Sequence, residues 1–408
     1  MTVPLELQFL ILDQLSDDDL ELLVELRKLC TTCKAWANHI QKLVQKIMFR
    51  HIWVTSASRP RLVRRFLYKP QLGKYVQVVT VVGSNSFGSI ELLFMWLSDV
   101  MPNLQTLDLL RCAFEDDIFP LQQSVLPKVT YLRLRSSEFT SADTLLQLIL
   151  LFPQLEGLDL SGNYTFPGRA LTPPTSWLRP PGRLRYLACD ATRHAFLLRW
   201  LALGPVIVDE LFITTWWGDN HTKLKDVLLK IGDHLKCLRL TETEPSMLDS
   251  PSLRLFSTVI PPFPLLQSLE VDLHLLKTTN FGWFNVTQAS LELERGLLLL
   301  LKQLLSPALS TIYLGTLVTP VHLDIPWAKL DSALLRFSAL EQVIFDLHGF
   351  FDPNGGTRCQ NVEAPSYADL CCGMRRAMPL SDGRGILKFR CAGKGPSPKP
   401  RLLGDVFC

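Results

Sequence analysis

A phrase of apolar residues spaced L-x-x-L-x-L recurs along this chain, and any fold it adopts must bury that phrase many times over. Leu104, Leu107 and Leu109 set it out, and Val129, Leu132 and Leu134, then Leu155, Leu158 and Leu160 repeat it. It continues through Leu184, Leu187 and Cys189; Val208, Leu211 and Ile213; Leu235, Leu238 and Leu240; and Leu266, Leu269 and Val271. Weaker copies are Val76, Val79 and Val81, then Leu309, Ile312 and Leu314, and finally Leu340, Val343 and Phe345. From 76 to 266 the first positions are separated by 28, 25, 26, 29, 24, 27 and 31 residues, and the later steps are 43 and 31.

Alternating apolar positions make a short strand that buries one face and shows the other, and the segments between carry helical periodicity. IELLFMWLSDVM (90–101), LLQLILLF (145–152), KLKDVLLKIGDHL (223–235) and LELERGLLLLLKQLL (291–305) are such segments, as is the late YADLCCGMRRA (367–377). One strand plus one helix cannot bury its apolar face alone, so neighbouring units must stack. The spacing is that of leucine-rich repeats. The expected fold is an α/β solenoid, a horseshoe arc with parallel strands on the concave side and helices on the convex side, over residues 76–391. A polar residue three positions after the last leucine closes each strand: Cys112 and Asn163 suit that place, and Ser137, Thr192 and Thr243 suit it loosely.

A solenoid grows by accretion, so 408 residues need not split into several globular domains. Ten cysteines without regular spacing, an acidic N-terminus and no apolar run of roughly 20 residues lead to the expectation of an intracellular chain with reduced thiols, cytoplasmic or nuclear, without a membrane span. The sequons at Asn163, Asn220 and Asn285 then carry no meaning. A net charge of +3 says little about partners.

The first fifty residues differ in kind. A proline at position 4 opens an apolar stripe of Leu7, Leu10, Ile11 and Leu15, and Ser16-Asp17-Asp18 breaks it with a natural N-cap. Leu22, Leu26, Leu29, Cys33 and Trp36 recur at helical spacing, so three short amphipathic helices are expected. This string resembles the F-box. Pro4, Leu5 and Glu6 resemble its L-P-x-E opening, Ile11, Leu12 and Leu15 its I-L-x-x-L core, and Leu26 through Cys33, Lys34 and Trp36 its closing segment with the C-[KR]-x-W end of fungal, basidiomycete-type F-box proteins. Val3 stands where that family has leucine and Leu29 where it has cysteine. The resemblance implies that Pro4, Leu5, Leu7, Ile11, Leu12, Leu15, Leu26, Cys33 and Trp36 form or support a docking face for a Skp-family adaptor, which links to a cullin scaffold. A plain helical cap on the solenoid is the alternative. Residues 51–75 are expected to form a linking helix packed on the first repeat, and 392–408, with three prolines, a mobile tail.

Residues 1–25 hold seven Asp or Glu and no Lys or Arg, whereas 26–75 hold twelve Lys or Arg and no Asp or Glu. The arginines of RPRLVRRF (59–66) have the look of a solvated helix face rather than a nucleic-acid arm, since few aromatics interleave with them. No phosphate loop, nucleophile elbow or H-E-x-x-H is present. Asp272 with His274 and Asp346 with His348 are two repeats apart, too far to share a metal, and the cysteines at 30, 33, 359, 371, 372 and 391 lack zinc spacing. The expectation is a chain without catalysis, metal or cofactor.

Between the buried leucines, Thr106, Asp108, Tyr131, Arg133, Arg135, Asp159, Tyr186, Glu210, Phe212, Arg239, Glu270, Asp272, Tyr313 and Ile344 should point to the concave face. Tyr131, Arg133, Arg135, Tyr186 and Phe212 are the candidate contacts for a protein substrate, unless the arginines serve to neutralise Asp108 and Asp159 across the strands. The resulting expectation is a substrate receptor of a ubiquitin ligase acting in protein degradation; the alternative is a leucine-rich scaffold or inhibitor working without a ligase. The proline-rich stretch 165–182 and segments 242–254, 277–288 and 351–366 are expected rim loops, and Trp216 or Trp217 an exposed anchor.

Overall fold

A computed structural model describes residues 34–83, 90–114, 126–160, 179–190, 195–204, 206–214, 225, 228–241, 260–273, 297–316, 327–347 and 367–391. Two compact units divide the chain, Met1–Pro181 and Gly182–Cys408. Each stacks parallel strands built on the leucine phrase and joined by helical segments, a leucine-rich-repeat-like α/β solenoid.

The first unit contains helices α1 (Lys34–Arg50), α2 (Arg59–Tyr68), α3 (Ile90–Val100) and α4 (Ala142–Leu150). Its strands are β1 (His51–Thr55), β2 (Val78–Val82), β3 (Thr106–Leu110), β4 (Ala113–Phe114), β5 (Tyr131–Arg135), β6 (Glu138–Phe139) and β7 (Gly157–Leu160). β1, β2, β3, β5 and β7 lie side by side and pair in parallel, with His51, Val78, Thr106, Tyr131 and Gly157 in one row. The phrase explains the register: Val79 and Val81, Leu107 and Leu109, Leu132 and Leu134, and Leu158 and Leu160 all point inward at 0% exposure. A register slip of one residue would turn all of these outward, so burial of about 1.5–3 kcal/mol per side chain fixes it.

The expectation of a linking helix over 51–75 is corrected here. His51–Thr55 is the first strand, the helix is confined to Arg59–Tyr68, and a 3-10 turn follows at Pro70–Tyr75. Ile52 and Val54 are buried while His51 and Trp53 are exposed, a period of two that a strand produces and a helix does not. Phe49, Ile52 and Val54 are in fact a further copy of the phrase, 27 residues before Val76 (76 − 49).

Strand starts and strand ends repeat their backbone chemistry. The Gln77 carbonyl accepts from both Gln105 N–H and Thr106 N–H at 2.9 Å, and the carbonyls of Gln105, Thr130, Arg185, Asp209, Lys236, Gln267 and Ser310 each take two successive N–H groups of the next strand in the same way. At each of these turns into the sheet both donors are satisfied. At the far end, Gly83, Arg111 and Ser136 occupy one register position in three successive repeats, and all have positive φ, of 73°, 55° and 50°. That left-handed turn lifts the chain off the sheet and leads it, after Arg111 and Ser136, into the small β4–β6 ladder. There Phe114 and Phe139 stack at 4.7 Å. Cys112 and Ser137, two of the expected strand-closing residues, are buried: the Ser137 hydroxyl donates to Leu109 O at 3.3 Å and the Cys112 thiol to Leu110 O at 3.7 Å.

A non-glycine residue in this turn costs about 1–2 kcal/mol, against about 0.5–1 kcal/mol for the extra unfolded-state freedom of glycine. Ser136→Gly is therefore expected to raise stability by up to about 1 kcal/mol, read as a higher denaturation midpoint, and Gly83→Ala to lower it.

The second unit contains β8 (Tyr186–Cys189), β9 (Glu210–Ile213), β10 (Cys237–Leu240), β11 (Ser268–Leu273), β12 (Thr311–Thr316), β13 (Gln342–Leu347) and β14 (Leu387–Cys391), each paired in parallel with the next. Its helices include α5 (Ala195–Ala202), α6 (Trp327–Leu334), α7 (Tyr367–Ala377) and α8 (Pro379–Gly383). Trp200 is fully buried on α5, and Trp327 on α6 meets Phe345 edge-on at 5.9 Å. The side chain of Asp331 on α6 receives Ser381 N–H and Leu380 N–H, each at 2.8 Å, and so caps the start of α8 from another helix.

Candidate functional site

Alternate strand residues pointing away from the leucine core form an open face in each unit. In the first unit its middle row is Trp53, Thr80, Asp108, Arg133 and Asp159, and Arg135 lies in the next row. Asp108 and Asp159 are only 4% and 7% exposed, so each needs a counter-charge. Arg133 Nε donates to Asp159 Oδ2 at 2.9 Å, its partner in register. Arg135 reaches diagonally to Asp108, donating from Nε at 3.1 Å and from Nη2 to the second oxygen. The neutralising role weighed for the two arginines is what their geometry displays.

Tyr131 is 7% exposed, with its ring where a Cβ on Gly157 would sit and the Arg133 guanidinium 5.6 Å from the ring centre. β1 adds two residues that sequence reasoning missed. His51 Nε2 lies 2.9 Å from Thr80 Oγ1, whose hydroxyl points on toward Asp108, and Trp53 is 53% exposed beside His51. The available signal was the copy of the phrase beginning at Phe49. Burial lowers the basicity of His51; Asp108 opposes that lowering and Arg135 adds to it, so the net effect favours the neutral ring.

In the second unit one row runs Phe212, Arg239, Glu270, Tyr313 and Ile344. The Arg239 guanidinium lies 4.7 Å from the Phe212 ring centre, with Nε 2.9 Å from Glu270 Oε1, and Arg390 lies 5.8 Å from the Tyr313 ring. Tyr186 and Phe212, on adjacent strands, are half-exposed. Thus Tyr131, Arg133 and Arg135 share a single strand of the first unit, while Tyr186 and Phe212 belong to the second. At the rim, Asp209 Oδ2 receives Arg185 at 2.9 Å and its other oxygen lies 3.3 Å from Lys236.

Two thiols border these rows, and burial disfavours the thiolate form of both. Burial pushes Cys112 up to about 12, with Asp108 adding to it, and burial with Glu210 and Glu270 does the same to Cys237. Among the described residues no group of three or more His, Cys, Asp or Glu is placed to hold a metal, and no helix is long and apolar enough to cross a membrane.

Pro4, Leu5, Leu7, Ile11, Leu12, Leu15, Leu26 and Cys33 lie outside the described residues. So do Asn163, Thr192, Trp216, Trp217, Thr243, His274, His348, most of 165–182, all of 242–254, 277–288 and 351–366, and the tail 392–408. Trp36 is on α1.

No protein-family model and no curated protein matches the chain. Among solved structures it is similar to the leucine-rich repeat-containing protein LegL7 from Legionella pneumophila, at 15% identity and a TM-score of 0.32, over 68% of this chain and 90% of that one. Repeat folds of this kind present strand faces suited to protein partners.

Proposed function

We propose that this chain is the substrate-recognition subunit of a Skp-cullin-F-box type ubiquitin ligase, with the N-terminal segment docking a Skp-family adaptor and the strand faces holding a protein target. It would have no chemistry of its own and would act by raising the local concentration of target near the transfer machinery. The observation that carries the reading is the F-box-like string ending at Trp36 and its continuity with the repeats. Helix α1, on which Trp36 lies, runs from Lys34 to Arg50 and passes without a linker into β1 at His51. Near the end of α1 the Phe49 ring is buried and meets Phe66 edge-on at 6.2 Å. A partner held by this helix would keep a fixed relation to the first repeat.

The test is affinity purification of the intact chain from cells. An adaptor and a cullin should co-purify with targets, and removal of residues 1–33 should lose the adaptor while targets stay. Targets recovered with neither adaptor nor cullin would make the chain a leucine-rich scaffold or inhibitor instead.

For the target face, half-exposed Phe212 is the better contact and the paired arginines the better structural residues. Phe212→Ala is expected to lose targets at unchanged melting. Arg133→Ala and Arg135→Ala should each cost about 1–2 kcal/mol, discounted for the partial exposure of the arginines, because each removes the counter-charge that faces a buried carboxylate. Denaturation curves and target recovery, measured on all three, separate the two roles.

A further inference from the structure

We propose that the outer face of α2 is a docking platform for an acidic polypeptide segment carrying leucine-like side chains, a surface separate from the strand faces. Arg61, Arg64, Arg65 and Tyr68 fall at i, i+3, i+4 and i+7 and so share one face of the helix. With Pro60 they line a cleft of about 310 Å³. All three arginines are exposed, and none has a carboxylate partner among the described residues. From 34 to 75 the sequence has ten Lys or Arg and no Asp or Glu, so no neighbour in sequence offsets them.

The platform is held rigid before anything binds. Thr55 N–H donates to Ser58 Oγ at 2.8 Å and Ser58 N–H to Thr55 Oγ1 at 3.1 Å, which fixes the start of the helix. Phe66 anchors the inner face at 2% exposure, and the Arg65 guanidinium lies 4.8 Å from the Phe49 ring centre. Such preorganisation lowers the entropy lost on binding. A guanidinium fork favours carboxylates and phosphates alike. Two observations favour a polypeptide. The stripe is only about 10 Å long at 1.5 Å per residue, short for the many phosphate contacts that nucleic acid binding uses. Tyr68 at its end and Leu67 beside it are 79% and 75% exposed, apolar surface that a phosphodiester chain would leave uncovered but a leucine-bearing acidic segment would cover.

The test uses the full chain and a fluorescent peptide of repeating Glu-Glu-Leu, with a Gln-Gln-Leu peptide, a short oligouridine and phosphatidylserine vesicles as the other probes. The acidic peptide should bind in low salt, weaken as salt rises from about 0.05 to about 0.5 M, and weaken about tenfold or more in Arg61→Glu/Arg64→Glu at unchanged melting. Equal binding of the glutamine peptide, indifference to the charge reversal, or tighter capture of oligouridine or vesicles through the same arginines would overturn the proposal. Loss of adaptor co-purification leaves this outcome unaffected, because the peptide experiment contains no adaptor.

Discussion

Asp331→Ala is expected to lose about 2–4 kcal/mol of folding stability, although Asp331 lies far in sequence from what it holds. Its carboxylate is 1% exposed and takes two backbone N–H groups, from Leu380 and Ser381, each at 2.8 Å. Alanine would leave two donors at the start of α8 without acceptors in a place water reaches poorly, and charge-assisted bonds are the costlier ones to lose. The first segment freed should be the one that α8 fixes, between Met378, fully buried, and strand β14. Hydrogen exchange should show β14 amides opening before those of β9 and β10, together with a lower denaturation midpoint. Asp331→Asn, keeping one oxygen, should fall between. A variant with native exchange in β14 would show that the cap contributes nothing.

Gly73→Ala should cost about 3 kcal/mol, toward the top of the overpacking range. A Cβ on Gly73 would run into the carbonyl of Val100, the last residue of α3, and a backbone group inside a packed helix end cannot rotate aside. Gly157 makes the useful contrast, because there the obstacle is the side-chain ring of Tyr131 rather than the backbone, and a side chain yields at smaller cost than a helix end. The expected order of melting temperatures is wild type, then Gly157→Ala, then Gly73→Ala. The reverse order would mean that the α3 end yields more readily than the tyrosine ring.

The strands were legible in the sequence wherever leucine marked them, because a period of two with a third apolar residue ahead has few other physical uses. β1 escaped because Phe49, the first residue of its copy, still belongs to helix α1, so no turn or break sets Ile52 and Val54 apart from the helical pattern. Helix propensity up to Arg50 and strand burial from His51 meet at a single peptide bond. The neutralising role of Arg133 and Arg135 was legible as an alternative, since acids stood at matching register positions. Which acid each arginine takes was not, because Arg135 bypasses its own row to reach Asp108. Nor could pattern show Asp331, whose partners lie 49 and 50 residues on. The left-handed turns at Arg111 and Ser136 stayed hidden for a related reason. Glycine announces such a turn only at Gly83, and the other two repeats carry the same backbone on residues that give no sign of it.

In the proposed assembly one end of the chain engages a ligase adaptor while the repeats remain free for a target. Calorimetric titration of a purified Skp-family adaptor into the intact chain addresses it directly. Saturable binding at one adaptor per chain is expected, lost in Leu12→Asp/Leu15→Asp at unchanged repeat melting and retained in Phe212→Ala. No heat of binding to the intact, folded chain, or binding indifferent to the Leu12 and Leu15 changes, would contradict it.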